Sequence, residues 1–330
     1  MKKILPYIFL FLLFQILPLR AQEAGSVFNF LSLPASSHAM ALGGQNVSLI
    51  EDDPSLIFQN PALASTVSSN TLGLNFLTYM RGNKSGSASF TRAQGERGTW
   101  GLGAQFVGYG KLHETNEAGE AIGSSTPLDV AISGLYSYAF SDRWAGGATG
   151  KFIYSGYAGY TSLALAVDLG LNYYLEESDF SLSFVAANLG GQLKAFHDVH
   201  ERLPFSLNVG FTKRMGHAPI RWNVTLVDLT HWHKKYFYNA EKDPGFGKIL
   251  LSHVNVGVEV VPSDRFWIGL GWNFRRGYEL KAAGSSKMAG LTAGAGLYIK
   301  KFSLGISYAK YHVSAPALSL SLAYRLGAQQ

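Results

Sequence analysis

The sequence predicts an all-β protein: a membrane-spanning antiparallel β-barrel of about 14 strands, with an N-terminal lumen plug of short helical turns. Three observations predict it. Large apolar residues alternate with small or polar ones through most of the chain beyond residue 70. The alternating segments number fourteen, and every long connection between them falls in one register. Ahead of the first segment lies a stretch too broken for a strand and too apolar for a solvated tail.

The leader comes first. Lys2 and Lys3 precede an apolar run from Ile4 to Leu19, and the small residue Ala21 follows Arg20. A basic start, an apolar middle and a small residue at the cut mark a secretory signal peptide over residues 1–21. Pro6 and Pro18 interrupt the run, which falls short of the ~20 apolar residues a transmembrane anchor needs. Cleavage removes three of the 28 basic residues and none of the 22 acidic ones, so the net charge falls from +6 to +3. Without a dense Lys/Arg stripe, nucleic acid is not an expected partner. The chain has no cysteine, which excludes a disulfide scaffold and a lipid anchor through Cys. Glycine is high at 37 residues, and only 15% of the chain is charged against a usual ~25%. An exported, cysteine-free chain rich in glycine and aromatics and poor in charge fits an outer-membrane barrel.

The plug is expected over residues 22–69. Asp53-Pro54 and Asn60-Pro61 each read as a helix start, with Asp or Asn as the cap and Pro at the first helical position. "DPSLIFQ" and "NPALAS" are therefore consecutive single turns, the first forced to stop before Pro61. Gly43-Gly44 marks a tight bend after the helix-prone run Ser37–Leu42. Turns this short, carrying Phe28, Phe30, Leu31, Leu49, Leu56, Ile57 and Leu63, cannot stand alone in water; inside a barrel mouth they can pack. The acidic triplet Glu51-Asp52-Asp53 lacks the ligand spacing of a calcium loop, and capping of the next turn explains Asp53 better.

The wall is expected over residues 70–330, with strands at 70–82, 86–94, 98–109, 126–140, 143–156, 160–174, 180–189, 203–214, 219–229, 250–261, 265–277, 288–299, 301–312 and 315–326. In Thr161–Tyr174, Leu163, Leu165, Val167, Leu169, Leu171 and Tyr173 share one face, opposite Ser162, Ala164, Ala166, Asp168, Gly170 and Asn172. A soluble sandwich also alternates, but its outer face carries many charges, whereas the second face here is mostly Gly, Ala, Ser and Asn. Charged or turn-forming clusters such as Gly95-Glu96-Arg97, Ser141-Asp142-Arg143 and Lys300-Lys301 make the short connections. The long ones, Gly110–Ser125, Gly190–Arg202, Thr230–Ile249 and Tyr278–Lys287, all lie at the opposite end. On this register Asp168, Asn172, Asn208, Arg221, Asn223, Asn255, Glu259 and Asn273 face inward, lining a channel or bonding to whatever fills it.

No catalytic constellation, metal or cofactor is expected. "GLGAQFVG" (Gly101–Gly108) resembles a phosphate loop only in its glycines and lies inside an alternating strand. His231-Trp232-His233 places two imidazoles in a long loop without the further ligands a metal needs. "HWHKKYFYN" reads instead as an aromatic segment at the membrane edge or a partner-facing loop, with Lys234 and Lys235 available to lipopolysaccharide phosphates.

Asn60-Pro61-Ala62 ahead of a fourteen-stranded barrel resembles the FadL-type outer-membrane transport family. The fuller string Phe28–Leu63, with Leu42-Gly43-Gly44, Asp53-Pro54 and Asn60-Pro61-Ala62, resembles more narrowly the PorQ family of the type IX secretion system. That resemblance implies no catalysis. It implies an outer-membrane barrel of a Gram-negative bacterium that anchors a surface protein, PorZ, in the attachment complex with PorU and PorV. The contact would then fall on the long loops: Lys111, His113 and Glu114; His197 and His200; His231, Trp232, His233, Lys234, Lys235, Tyr236 and Phe237. The FadL-type architecture carries an alternative, a transporter of small hydrophobic molecules. A general porin fits a plug poorly. The chain departs from the common barrel ending, because Leu326-Gly-Ala-Gln-Gln follows the last strand and Tyr324 is the nearest aromatic.

Overall fold

The computed structural model describes residues 26–79, 83–115, 118, 120–197, 199–233, 244–263, 265–284, 288–313 and 315–327. The leader expected at 1–21 lies outside them, as do Lys234, Lys235, Tyr236 and Phe237.

Alternation of period two becomes a closed antiparallel wall. Its first strands are β1 (Thr71–Tyr79), β2 (Asn83–Gln94) and β3 (Gly98–Gly108). A small hairpin follows, β4 (Leu112–Thr115) with β5 (Ala121–Ser125), outside the wall. The wall resumes with β6 (Leu128–Ala139), β7 (Trp144–Tyr157), β8 (Tyr160–Leu175) and β9 (Phe180–Lys194). It continues through β10 (Ser206–Arg214), β11 (Ile220–Leu226), β12 (Val254–Ser263) and β13 (Phe266–Asn273). β14 (Leu291–Ile299), β15 (Phe302–Lys310) and β16 (Pro316–Arg325) complete fourteen wall strands, and β16 pairs with β1 to close the ring. Among the described residues no helix is long and apolar enough to cross a membrane. The crossing elements are the strands.

The two faces of the wall are chemically distinct. On β8, Leu165, Val167 and Leu169 are exposed outward, while Ser162, Asp168 and Asn172 are buried in the lumen. Exposed aromatics ring both ends: Tyr138, Phe140, Trp144 and Phe302 near the short turns, Tyr154, Tyr157, Tyr160 and Tyr308 near the long loops. An apolar band between aromatic girdles is the outer surface of a membrane barrel. Tyr324 packs on Phe302 with centroids 4.7 Å apart, inside the short-turn girdle.

Four details depart from the sequence reading. The strand expected at 250–261 begins as helix α2 (Phe246–Ser252) and turns extended only at Val254. The strand expected at 265–277 ends at Asn273, whose side chain accepts from the Arg276 backbone and starts α3 (Phe274–Ala282), so Phe274 leaves the apolar face. The loop expected at 190–202 starts later, because β9 runs to Lys194 through a bulge. There Asn188 takes φ 58°, and the pairing to β8 skips between Val167 and Leu169. The loop expected at 110–125 carries the β4–β5 hairpin.

Inside the ring lies the N-terminal segment. It comprises a 3₁₀ turn at Asn29–Ser32, helix α1 (Ser37–Ala41), and 3₁₀ turns at Pro54–Phe58 and Pro61–Thr66. Asp53 and Asn60 cap the last two through their side chains, with proline at the first position. Gly43 and Gly44 take φ of 104° and 103°, backbone that a side chain would strain.

Candidate functional site

The segment fills the lumen with a core of its own. Ala39, Leu42, Leu49, Leu56 and Leu63 form a cluster from which solvent is wholly excluded. Toward the long-loop end, Phe28, Phe30 and Leu31 pack against Val107, Ala131 and Ile153 of the wall. Toward the short-turn end, Ile57 and Ala64 meet Leu135. Between the plug and β13–β16 a void of about 10 Å³ remains, bordered by Ser37, His38 and Trp267; that is room for about one water.

The wall meets the plug through glycine. A Cβ added at Gly170 would lie 2.0 Å from Asn60 Oδ1, and one at Gly147 would lie 2.5 Å from the Pro61 carbonyl carbon. Across the lumen, a Cβ at Gly271 would come within 2.3 Å of the Gly43 nitrogen. These inward positions let the plug rest directly on strand backbone, through its own backbone at Gly147 and Gly271 and through the Asn60 amide at Gly170. Asn60 uses both ends of its amide there: Oδ1 accepts from Ala62 N at 3.0 Å, and Nδ2 donates to Val47 O at 2.8 Å.

A charged network ties the plug to the wall. Arg221 on β11 donates through Nε to Glu259 on β12 at 2.7 Å, and its Nη2 pairs with Glu51 of the plug. The second oxygen of Glu259 bonds His38 Nε2 of α1 at 2.8 Å. The His38 ring stacks on Trp267, with centroids 3.7 Å apart and planes 2° from parallel. Tyr298 donates to Glu51 at 2.9 Å. The acidic triplet is thus divided among separate partners: Glu51 to Arg221 and Tyr298, Asp52 to Arg325 and Ser68, Asp53 to Ser55 and Ser36. Buried charges in such a place need partners on every side, and here they have them. A second pair, Lys151 with Asp168 at 2.6 Å, sits at the β8–β9 bulge, where Asp168 also accepts from Asn188 N. Beyond the wall, burial pushes the Tyr311 phenol above its ordinary range, and the Arg276 guanidinium over its ring opposes that shift.

The inward residues named from the sequence are buried in the lumen, apart from Asn273, which caps α3. Missed were His38 and Trp267 as members of the network. Trp267 stands among the small residues of the inward face of β13, a break in the pattern that was the available signal. The loop residues fall on three separate elements at the long-loop end. His113 and Glu114 lie on the β4–β5 hairpin, with Lys111 just before it. His197 packs on Tyr160 at 4.7 Å, and His200 is exposed beyond it. His231 bonds Asp228, and Trp232 donates to Leu229 O and packs on His253 and Phe246. His233 is exposed beside them. Among the described residues, no three metal-ligating side chains converge.

No family model and no curated protein matches the chain. Solved structures do. The toluene transporter TodX of Pseudomonas putida superposes with a TM-score of 0.54 at 12% identity, covering 88% of this chain and 98% of that one. A FadL homologue of Pseudomonas aeruginosa gives 0.53 at 10% identity, over 90% and 98%. The monoaromatic hydrocarbon channel CymD gives 0.52 at 13% identity, over 92% and 100%. None of the three is described as an enzyme. At these identities the likeness speaks for the fold alone: the closed fourteen-stranded barrel of this chain is similar in fold to these three proteins.

Proposed function

We propose that this chain is a non-enzymatic outer-membrane barrel that serves as a membrane anchor in type IX secretion. It holds a PorZ-like surface protein through its long loops, in a complex with PorU- and PorV-like components. The observation that supports an anchor over a pore is the lumen, where the plug packs against the wall toward both ends and is fastened to it by the buried Arg221–Glu51 ion pair and the His38–Glu259 bond. The resemblance of Phe28–Leu63 to the PorQ family supplies the system. In this reading the long loops face the cell surface and the short turns face the periplasm. The contact falls on the hairpin with Lys111, His113 and Glu114, on residues 195–202, and on the region of His231, Trp232 and His233, with Lys234 and Lys235 meeting lipopolysaccharide phosphates. A mild-detergent pull-down from outer membranes, read by mass spectrometry, should recover the PorZ-like protein. Deleting the three loop regions while keeping barrel insertion should release it from the cells; its retention would sink the anchor reading.

The comparisons favour a second reading, a FadL-like transporter of small hydrophobic molecules. TodX is described as a toluene transporter and CymD as a monoaromatic hydrocarbon channel. Transport through this barrel requires the plug to move. Liposomes carrying the barrel should take up toluene no faster than empty ones if it is an anchor. Faster uptake that disappears when the plug is cross-linked to the wall moves the assignment to transport.

A further inference from the structure

The plug also shapes the outside of the barrel. On the lipid-facing side of the seven adjacent strands β13, β14, β15, β16, β1, β2 and β3 lies an apolar groove of about 710 Å³. Leu74, Phe76, Phe106 and Ile306 stand along it, exposed outward. Gly86, Ala88, Ala104 and Ala295 line it with side chains too short to fill it. The hollow has a cause inside. Gly73, Gly294 and Gly305 face the lumen, where an added Cβ would lie 2.7 Å from Pro54, 2.7 Å from Ala41 and 2.3 Å from Ser37. The wall therefore sits directly on small plug residues in this sector.

A hollow of this size at hydrocarbon depth, lined almost wholly by carbon, is not a place for water. It accepts a hydrocarbon chain. The edge nearest the long loops adds a charge. Lys84 is exposed on the same outward face of β2 as Gly86, two residues or about 7 Å along the strand. Tyr308 lies at the same level, through the pairs Tyr308–Leu318 and Thr78–Lys84, and Lys310 lies one step beyond it on β15. An apolar trough ending in lysine and tyrosine hydroxyl at the girdle matches an amphiphile with an acyl tail and an anionic head.

We propose that this groove binds an acyl chain of lipid A, the phosphate-bearing lipid of the outer leaflet, with a phosphate held at Lys84. The assignment of leaflet rests on the outward orientation of the long loops proposed above. Purified barrel in mild detergent, titrated with lipid A and read by native mass spectrometry, should retain one lipid. The filled variant Ala88→Phe/Ala104→Phe should bind at least tenfold more weakly, and Lys84→Gln about fivefold more weakly. Heat-modifiable gel migration checks that each variant is folded; if the filled one is not, Lys84→Gln decides alone. Equal lipid A binding by wild type and the folded variants overturns the proposal. Tighter binding of phosphatidylglycerol than of lipid A also overturns it. So does a dimer that the filled variant loses, which would give the groove to a second copy of the chain. Protease cleavage within 195–202 on intact cells tests orientation separately, so failure of the lipid site and failure of the orientation are told apart.

Discussion

Replacing Glu259 with alanine should loosen the plug while the barrel stays closed. The carboxylate takes Arg221 Nε at 2.7 Å and His38 Nε2 at 2.8 Å, with no solvent exposure. Two hydrogen bonds to a charged group, at ~1.5–3 kcal/mol each, put the total near ~3–6 kcal/mol. Breaking a buried ion pair from one side gives a comparable ~3–5 kcal/mol. Only part of this separates plug from wall, because Arg221 and Glu259 both belong to strands. The His38 bond is the one that crosses, so docking should weaken by about 2 kcal/mol, or roughly 30-fold. The chain has no cysteine, so a single Ser48→Cys in the buried plug reports undocking through its rate of maleimide labelling. Labelling should accelerate about 30-fold in the Glu259→Ala background, by the same ~2 kcal/mol. His38→Ala should do much the same, and the double variant should show strong coupling instead of additivity. Unchanged labelling in Glu259→Ala, or full additivity of the two substitutions, refutes the reasoning.

Gly170→Val places carbon where Asn60 Oδ1 now sits, 2.0 Å from the ideal Cβ, and should displace the Asn60-Pro61-Ala62 turn. The cost of such overpacking is ~1–3 kcal/mol, readable as faster labelling at position 48. Asn60→Ala loses a cap worth ~0.5–2 kcal/mol as well as the bond to Val47, whereas Asn60→Asp keeps the cap and should fall between it and wild type in the same assay. Ile132→Arg puts a charge on the lipid face midway along β6 and should reduce stability by ~2–4 kcal/mol in urea titrations of barrel refolded into vesicles. No change there would contradict the membrane reading of the wall.

Most of the wall was legible because a strand buried in lipid on one side and in a plug on the other alternates by chemistry. β8 shows it residue by residue, from Leu163 to Tyr173. The Asp53 and Asn60 caps were legible too, since a short polar side chain before proline has few other structural uses. Helix α3 was not, because Phe274 continues the two-residue beat while the Asn273 cap already turns the backbone. Helix α2 was hidden similarly, by an apolar run that reads equally well extended. The polar network was half visible. Arg221 and Glu259 declare themselves as charges on an inward face, but nothing local says that they meet Glu51 and His38, which stand 170 and 221 residues away in sequence. The loops proposed for a partner could be chosen only by composition and resemblance, since exposed loops carry no packing rule that a sequence can reveal.

The seam where β16 meets β1 carries plug atoms as well as strand atoms. Ser321 donates its hydroxyl to Asn75 on β1 and accepts from the Ser37 backbone of the plug at 3.0 Å, while Arg325 reaches Asp52. β16 therefore completes two jobs with the same side chains. Neither the cylinder nor its stopper has its full set of bonds without the other, so closing the seam and seating the plug are coupled in one cooperative event.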